Sequence, residues 1–358
     1  MTSPSILLSL VAAVTMTFGL STSSVHAQQC SADVNQDHNV DGLDLAILLS
    51  GWGKSGGSGG ADINGDGTIN GLDLTYVLSG WGSCGPSWAT VLEWEPNPAV
   101  VTNITLRNAI TASGLPWRVR DNGTNIEMLL VPVGSLTMGC SASLSYGCNS
   151  NESPTHQVVL SRFYMGRYEV TQAQWTARMG SNPSYFQPPN FTLDTSRPVE
   201  SVSWDMIAGA DGFISGTGLR LPTEAEWEYA YRAGTTTAFH SYPAQPTGFN
   251  DDALLSNIAW YNANAGGQTH AVGGKFANAL GLHDMSGNVF EWCQDWYGDT
   301  YYASSPILNP TGPATGTYRL LRGGGWDNNS NYCRASGRSV STPDDVYNFY
   351  GFRVARTP

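Results

Sequence analysis

The sequence predicts a loop-rich fold with aromatic packing, preceded by a small helical unit. Three observations predict it. Charged residues are only 13% of the chain, while 41 of its 358 residues are glycine and 12 are tryptophan. That balance argues against long solvent-facing helices. A loop rich in Asp and Asn occurs twice before residue 85, each copy followed by an apolar helical stretch. Further on, helix start signals stand between short strand-like runs. The length allows two domains and a sizeable core. A formal charge of −12 argues against a nucleic-acid partner, which needs a basic face.

Residues 1–27 read as a secretory signal. Residues 6–20 are mostly apolar, and Val25-His26-Ala27 offers small residues at a cleavage position. The segment before the run lacks Lys and Arg. The alternative, a membrane anchor, is disfavoured because the run is shorter than the ~20 residues a span needs. No later segment could span a bilayer, so a secreted protein, extracellular or cell-surface associated, is expected. The chain has six cysteines. Export favours disulfides, and position suggests Cys30–Cys84, Cys140–Cys148 and Cys293–Cys333. The other reading is that some are buried free thiols.

Residues 33–53 and 62–82 are an internal repeat. Oxygen-bearing side chains fall at loop positions 1, 3, 5, 9 and 12: Asp33, Asn35, Asp37, Asp41 and Asp44, then Asp62, Asn64, Asp66, Asn70 and Asp73. Position 7, Asn39 or Thr68, supplies a backbone carbonyl. This is the calcium loop of an EF-hand, where alternate residues converge on one ion. Asp replaces Glu at position 12, and His38 replaces the usual Gly at position 6, which weakens the first loop. Duplicated loops with one helix each and Asp at position 12 resemble the type I dockerin module. The resemblance implies folding with calcium and binding to a cohesin module on a partner. Positions 10 and 11, Gly42-Leu43 and Gly71-Leu72, depart from the family's hydroxyl residues and leave the cohesin type open. Between the repeats, Gly53, Ser55 and Gly57 form a nominal Gly-x-Ser-x-Gly. Its flanks are not the strand and helix that a nucleophile elbow requires, so no catalytic role is assigned.

Residues 28–85 are thus read as the calcium-binding module, 86–121 as a connector and 122–358 as a second domain. Within the connector, residues 103–113 suit a short helix stopped by Gly114, and Trp117 an anchor. Residues 128–133 suit a strand. Thr171 with Gln174, and Thr223 with Glu226, form capping boxes of helices that stop at Gly180 and Gly234. Glu224, Glu226 and Glu228 read as scaffold near a helix start. His156, His240, His270 and His283 show no zinc spacing.

Residues 281–296 read Gly-Leu-His-Asp-Met-Ser-Gly-Asn-Val-Phe-Glu-Trp-Cys-Gln-Asp-Trp. Ser-Gly-Asn is turn chemistry, and Asp284 and Glu291 flank it. Such a turn either aims oxygen ligands at a hard cation or is a buried turn sealed by aromatics. With residues 166–175, 220–229, 322–326 and 351–353, this segment resembles the formylglycine-generating enzyme, or sulfatase-modifying factor, family.

The resemblance implies an α+β fold, C-type-lectin-like and loop-rich. It also implies calcium ligands at Asp284, Gly287, Val289 and Glu291, and a second set beginning Asn257-Ile258. The family oxidase uses two cysteines spaced five apart to hold copper. Here the first position is Asn328, the second falls on Cys333, and Gly325 replaces an active-site Ser. The family fold also brings Cys293 near Cys333.

The expectation is a non-oxidising binding or accessory module, with Trp326, Asn328, Asn329 and Arg338 lining its pocket. The alternatives are an oxidase making formylglycine from a sulfatase cysteine, with Cys333 as its remaining thiol, or a structural component of an extracellular assembly.

Overall fold

The computed structural model describes residues 31–55, 60–140 and 147–358. The expected secretory signal and Cys30 lie outside the described residues. The chain divides after Cys84 into two compact units. Among the described residues, no helix is long and apolar enough to cross a membrane.

In the first unit, strand β1 (Asn39–Val40) and helix α1 (Gly42–Ser50) precede helix α2 (Gly71–Ser79) and strand β2 (Gly82–Ser83). The two strands pair antiparallel. Asp41 caps α1 and Asn70 caps α2, each in a capping box closed by the position-12 residue, Asp44 or Asp73. The core is small: Ala32, Val40, Leu48, Ala61, Ile69 and Val77 are its main buried apolar residues.

The second unit begins with β3 (Ala89–Glu93), α3 (Ile104–Thr111) and β4 (Arg118–Asp121). These arise from residues 86–121, which the sequence presents as a connector. They are instead part of the domain, because β3 and β4 pair and β4 continues into the main sheet. Asn103 caps α3 through the N–H groups of Thr105 and Leu106, and Trp117 is buried in the main core.

There follow β5 (Glu127–Val131), β6 (Gly134–Met138), β7 (His156–Leu160) and β8 (Phe163–Gly166). Helices α4 (Gln172–Met179), α5 (Trp204–Ala208) and α6 (Glu224–Arg232) come next. After β9 (Ala259–Trp260), β10 (Ser286–Gly287) and β11 (Phe290–Trp296) comes α7 (Tyr301–Ser304), and the chain closes with β12 (Arg319–Arg322), β13 (Ser339–Ser341), β14 (Tyr350–Gly351) and β15 (Ala355–Arg356).

One sheet runs β15-β8-β5-β4-β3 and is antiparallel throughout; another runs β13-β12-β11-β14 and ends on a parallel pair. The mixed α+β class is as expected. Both capping boxes form. Helix α6 ends one residue early, on left-handed Ala233 (φ 45°), with Gly234 next. Trp117, Trp175, Trp227 and Trp292 are buried in one core.

The three glutamates of α6 are scaffold through ion pairing as well as through the helix dipole. Glu224 holds Arg338, Glu226 holds Arg220, and Glu228 holds Arg232 and Arg322. Unpaired, such buried charges would cost several kcal/mol each, on the order of 3–5.

His240 is completely buried, with Nδ1 facing the Ser241 carbonyl at 2.8 Å. Burial lowers its pKa from 6.5 to about 4. The unfolded chain therefore binds a proton between those values that the folded chain refuses, so stability falls as pH drops from 6.5 towards 4. Urea midpoints across that window should fall less steeply for His240→Asn than for the native chain. Parallel pH profiles would refute this.

Candidate functional site

The signature turn, residues 284–289 around β10, is built by backbone needs. Asp284, Gly287 and Asn288 all have positive φ, at 54°, 77° and 63°, which Gly, Asn and Asp tolerate best. The turn closes on Glu169, which accepts from Val289 N–H at 3.1 Å and the Asn288 amide at 2.6 Å. Burial, then the neighbouring Asp284 and Glu291, raises the Glu169 pKa well above the carboxylate range. Glu169 was not singled out in the sequence. Its one signal was an acid inside the Gly-Arg-Tyr-Glu-Val-Thr motif.

Asp284 accepts from Gly273 N–H at 2.6 Å, and burial lifts its pKa to about 6. Glu291 is held by the fork of Arg353, at 2.6 and 2.7 Å, and by Trp227 Nε1 at 2.7 Å. Arg353 is thus the cationic partner of Glu291. Of the two carboxylates in the expected set of Asp284, Gly287, Val289 and Glu291, Glu291 already has a guanidinium partner and Asp284 a backbone N–H.

The second expected set begins at Asn257 and Ile258. The Asn257 side-chain amide donates to Tyr242 Oη and to the Leu254 carbonyl, and the Asn257 backbone carbonyl accepts from Phe276 N–H. Next to them in sequence, the Ser256 carbonyl accepts from Lys275 Nζ at 2.6 Å.

Cys333 lies at the end of a 3₁₀ turn, Ser330–Cys333, capped by the Asn329 side chain. Its carbonyl accepts from Tyr231 Oη at 2.9 Å and Ser286 Oγ at 3.0 Å. Burial pushes its thiol up to about 12. Cys293 is also a buried free thiol, pushed well above its usual range by burial. The expected Cys293–Cys333 disulfide is thus absent, and the physical reason is separate packing: Cys293 points into the main core and Cys333 into a second cluster with Phe239 and Phe249. Cys140–Cys148 is bonded as expected, with Cα atoms 5.6 Å apart. The Cys30–Cys84 pairing falls outside the described residues at Cys30.

Trp326, Asn328 and Asn329 share the loop before that turn. Trp326 donates its indole N–H to the Asn348 carbonyl and meets Phe186 edge-on, with centroids 5.4 Å apart. Asn328 Oδ1 accepts from Gly325 N–H at 2.8 Å. Arg338 does not join them. It is buried, forked onto Glu224 at 2.6 and 2.8 Å, and stacked 4.0 Å from the Tyr302 ring. It is a scaffold residue, not a lining one.

In the first unit the two loops fold alike. Asp33 accepts from Asp37 and His38 N–H, and Asp62 from Asp66 and Gly67 N–H. Asp44 accepts from Val34, Asn35 and Asp41 N–H, and Asp73 from Ile63, Asn64 and Asn70 N–H. His38 sits at φ 69°, where the second loop has Gly67. The left-handed conformation costs a residue with a Cβ about 1–2 kcal/mol, the physical form of the weaker first loop. The donors are all oxygens, which fit a hard cation.

The family model described as "Sulfatase-modifying factor enzyme 1-like domain" matches residues 115–358. The chain belongs to this sulfatase-modifying factor family. A dockerin type I model matches residues 31–78. The family domain here is 34% identical over 252 residues to "Serine/threonine-protein kinase pkn1" of Chlamydia pneumoniae, covering 64% of this chain and 38% of that protein. It is 37% identical over 194 residues to the formylglycine-generating enzyme of Streptomyces coelicolor, covering 52% of this chain and 59% of that one. The chain therefore spans well under two thirds of these relatives. Among solved structures, "Treponema denticola variable protein 1" is 32% identical, with a TM-score of 0.55, covering 65% of this chain and 95% of that chain.

Because Arg353 is the cation that Glu291 faces, Arg353→Met should destabilise the family domain by about 3–5 kcal/mol, the cost of an unpaired buried charge. Pairing Arg353→Met with Glu291→Gln should recover part of that loss in urea denaturation. Additive losses would count against the pair as the clamp of this turn.

Proposed function

We propose that this chain is an exported, dockerin-bearing binding module of the sulfatase-modifying factor family that does not oxidise cysteine. The observation that carries the reading is the pair of positions where the family oxidase has copper-binding thiols. One is Asn328, whose amide oxygen is tied to Gly325 N–H. The other is Cys333, a wholly buried thiol pushed up to about 12 by burial. Copper(I) selects soft thiolates. An amide is not one, so the paired thiolates that would hold copper(I) are reduced to one buried thiol.

The surface beside this point suits recognition instead. Trp326, Tyr185 and Phe191 pack around Phe186. Tyr185 and Tyr347 are among the exposed large apolar side chains. Aromatic rings of this kind anchor binding surfaces.

A cohesin-type partner is proposed for the first unit. Leu43 and Leu72 are 60% and 59% exposed, and Leu49 with Leu78, and Trp52 with Trp81, repeat the same pairing. Large apolar side chains left in solvent on so small a unit favour a protein partner. Calcium in the two loops is the proposed cofactor, held by Asp33, Asn35, Asp37, Asp41 and Asp44 and their counterparts from Asp62 to Asp73, with carbonyls of Asn39 and Thr68.

Two measurements test these readings. Incubated with copper, oxygen and a Cys-x-Pro-x-Arg peptide, the purified protein should leave the peptide thiol intact; an aldehyde product would overturn the binding-module reading. For residues 28–85, chelation should abolish the far-ultraviolet helix signal and calcium should restore it, since clustered carboxylates over a small core make metal binding folding energy. An unchanged spectrum refutes the calcium assignment.

A further inference from the structure

A cleft of about 830 Å³ lies in the second unit and shares no lining residue with the Trp326 loop. Its walls come from residues 99–102, 241–246, 256–257 and 273–279, with Arg167 and His283. The volume is that of a small-molecule site, commonly about 300–1,000 Å³. Its charge runs against the rest of the chain. The lining holds two cations, Arg167 and Lys275, and no carboxylate, although the chain carries −12.

Lys275 is placed with care. Its ammonium lies 3.8 Å from the centroid of the Trp260 ring and donates one hydrogen bond, to the Ser256 carbonyl. An ammonium has three N–H groups, so donors remain for a ligand. Arg167 is turned to Glu127 at 2.7 Å, and its Nε is a buried donor without a partner. The buried Asp284, which accepts from Gly273 N–H, is the carboxylate near enough to attract the Lys275 charge, with no direct hydrogen bond to it. His283 faces the Lys275 carbonyl through Nδ1. Another part of the lining is apolar. Tyr242 and Phe276 stack with centroids 5.6 Å apart and planes 18° apart, and Phe276 is 50% exposed. Pro243, Pro246 and Ala277 continue that wall.

We propose that this cleft binds a small organic carboxylate with an apolar or aromatic body, its carboxylate on Lys275 and its body against Phe276 and Tyr242. A single ammonium with donors to spare suits one anionic head. The apolar wall offers a sugar's hydroxyls few partners and a polyanion little countercharge. Attraction between the head and Lys275 is a charge-assisted hydrogen bond, roughly twice as strong as a neutral one.

The test is titration of the full chain with 4-phenylbutyrate and with its uncharged counterpart, 4-phenylbutyramide, by calorimetry. The acid should bind about tenfold more tightly than the amide, a difference on the order of one charge-assisted contact. Lys275→Met keeps the stem over Trp260 and should erase that preference. Phe276→Ala, at an exposed position, should weaken both ligands alike. Equal affinity for acid and amide overturns the proposal, as does a preference that survives Lys275→Met, or no binding of either at millimolar concentration. If Lys275→Met does not fold, the acid–amide comparison on the native chain and on Phe276→Ala decides alone. Because the site is separate from Cys333, neither outcome depends on the copper assay.

Discussion

The guanidinium of Arg353 is the group on which the second unit's organisation rests. It forks onto Glu291 in β11, and donates to the Gly166 carbonyl at the end of β8 and to the His283 carbonyl before the signature turn. Trp227 of α6 reaches the same carboxylate. The two larger sheets, the turn and a helix therefore meet at one buried charge. A loop-rich chain has few ladder hydrogen bonds with which to fix such a meeting. A planar fork with fixed donor directions fixes it instead.

The same device recurs. Glu152 holds Arg334, Glu224 holds Arg338 and Glu228 holds Arg322, with both partners of each pair buried. This gives a second meaning to the low content of charged residues. Many of those present are interior clamps and not surface solubilisers. Breaking one leaves its partner charged in a medium of low dielectric, so each pair acts as a unit. Arg338 and Glu291, two residues with ligand-like chemistry, are both held in such pairs.

The two units solve stability differently. The second has a large core with four buried tryptophans. The first has a handful of small apolar side chains and loops crowded with carboxylates. Its order comes from backbone N–H groups converging on Asp33, Asp44, Asp62 and Asp73, a geometry that leaves negative charge concentrated at each loop. The buried thiols follow from the second unit's core too: Cys293 and Cys333 are held in apolar surroundings, which favour the protonated thiol.

Local chemistry was legible from the chain alone. The repeat, the capping boxes at Thr171 and Thr223, the turn at Ser286-Gly287-Asn288 and the Cys140–Cys148 bond depend on residues near one another in sequence, where spacing fixes geometry. Pairings across long separations were not. That Glu291 pairs with Arg353, that Arg338 serves Glu224, that residues 86–121 complete a sheet, and that Cys293 and Cys333 enter different clusters were decided by tertiary packing. An Arg, a Glu or a Cys carries the same letters whether it meets a ligand or an internal partner. Only the fold determines which group of opposite charge, or which apolar wall, lies within reach.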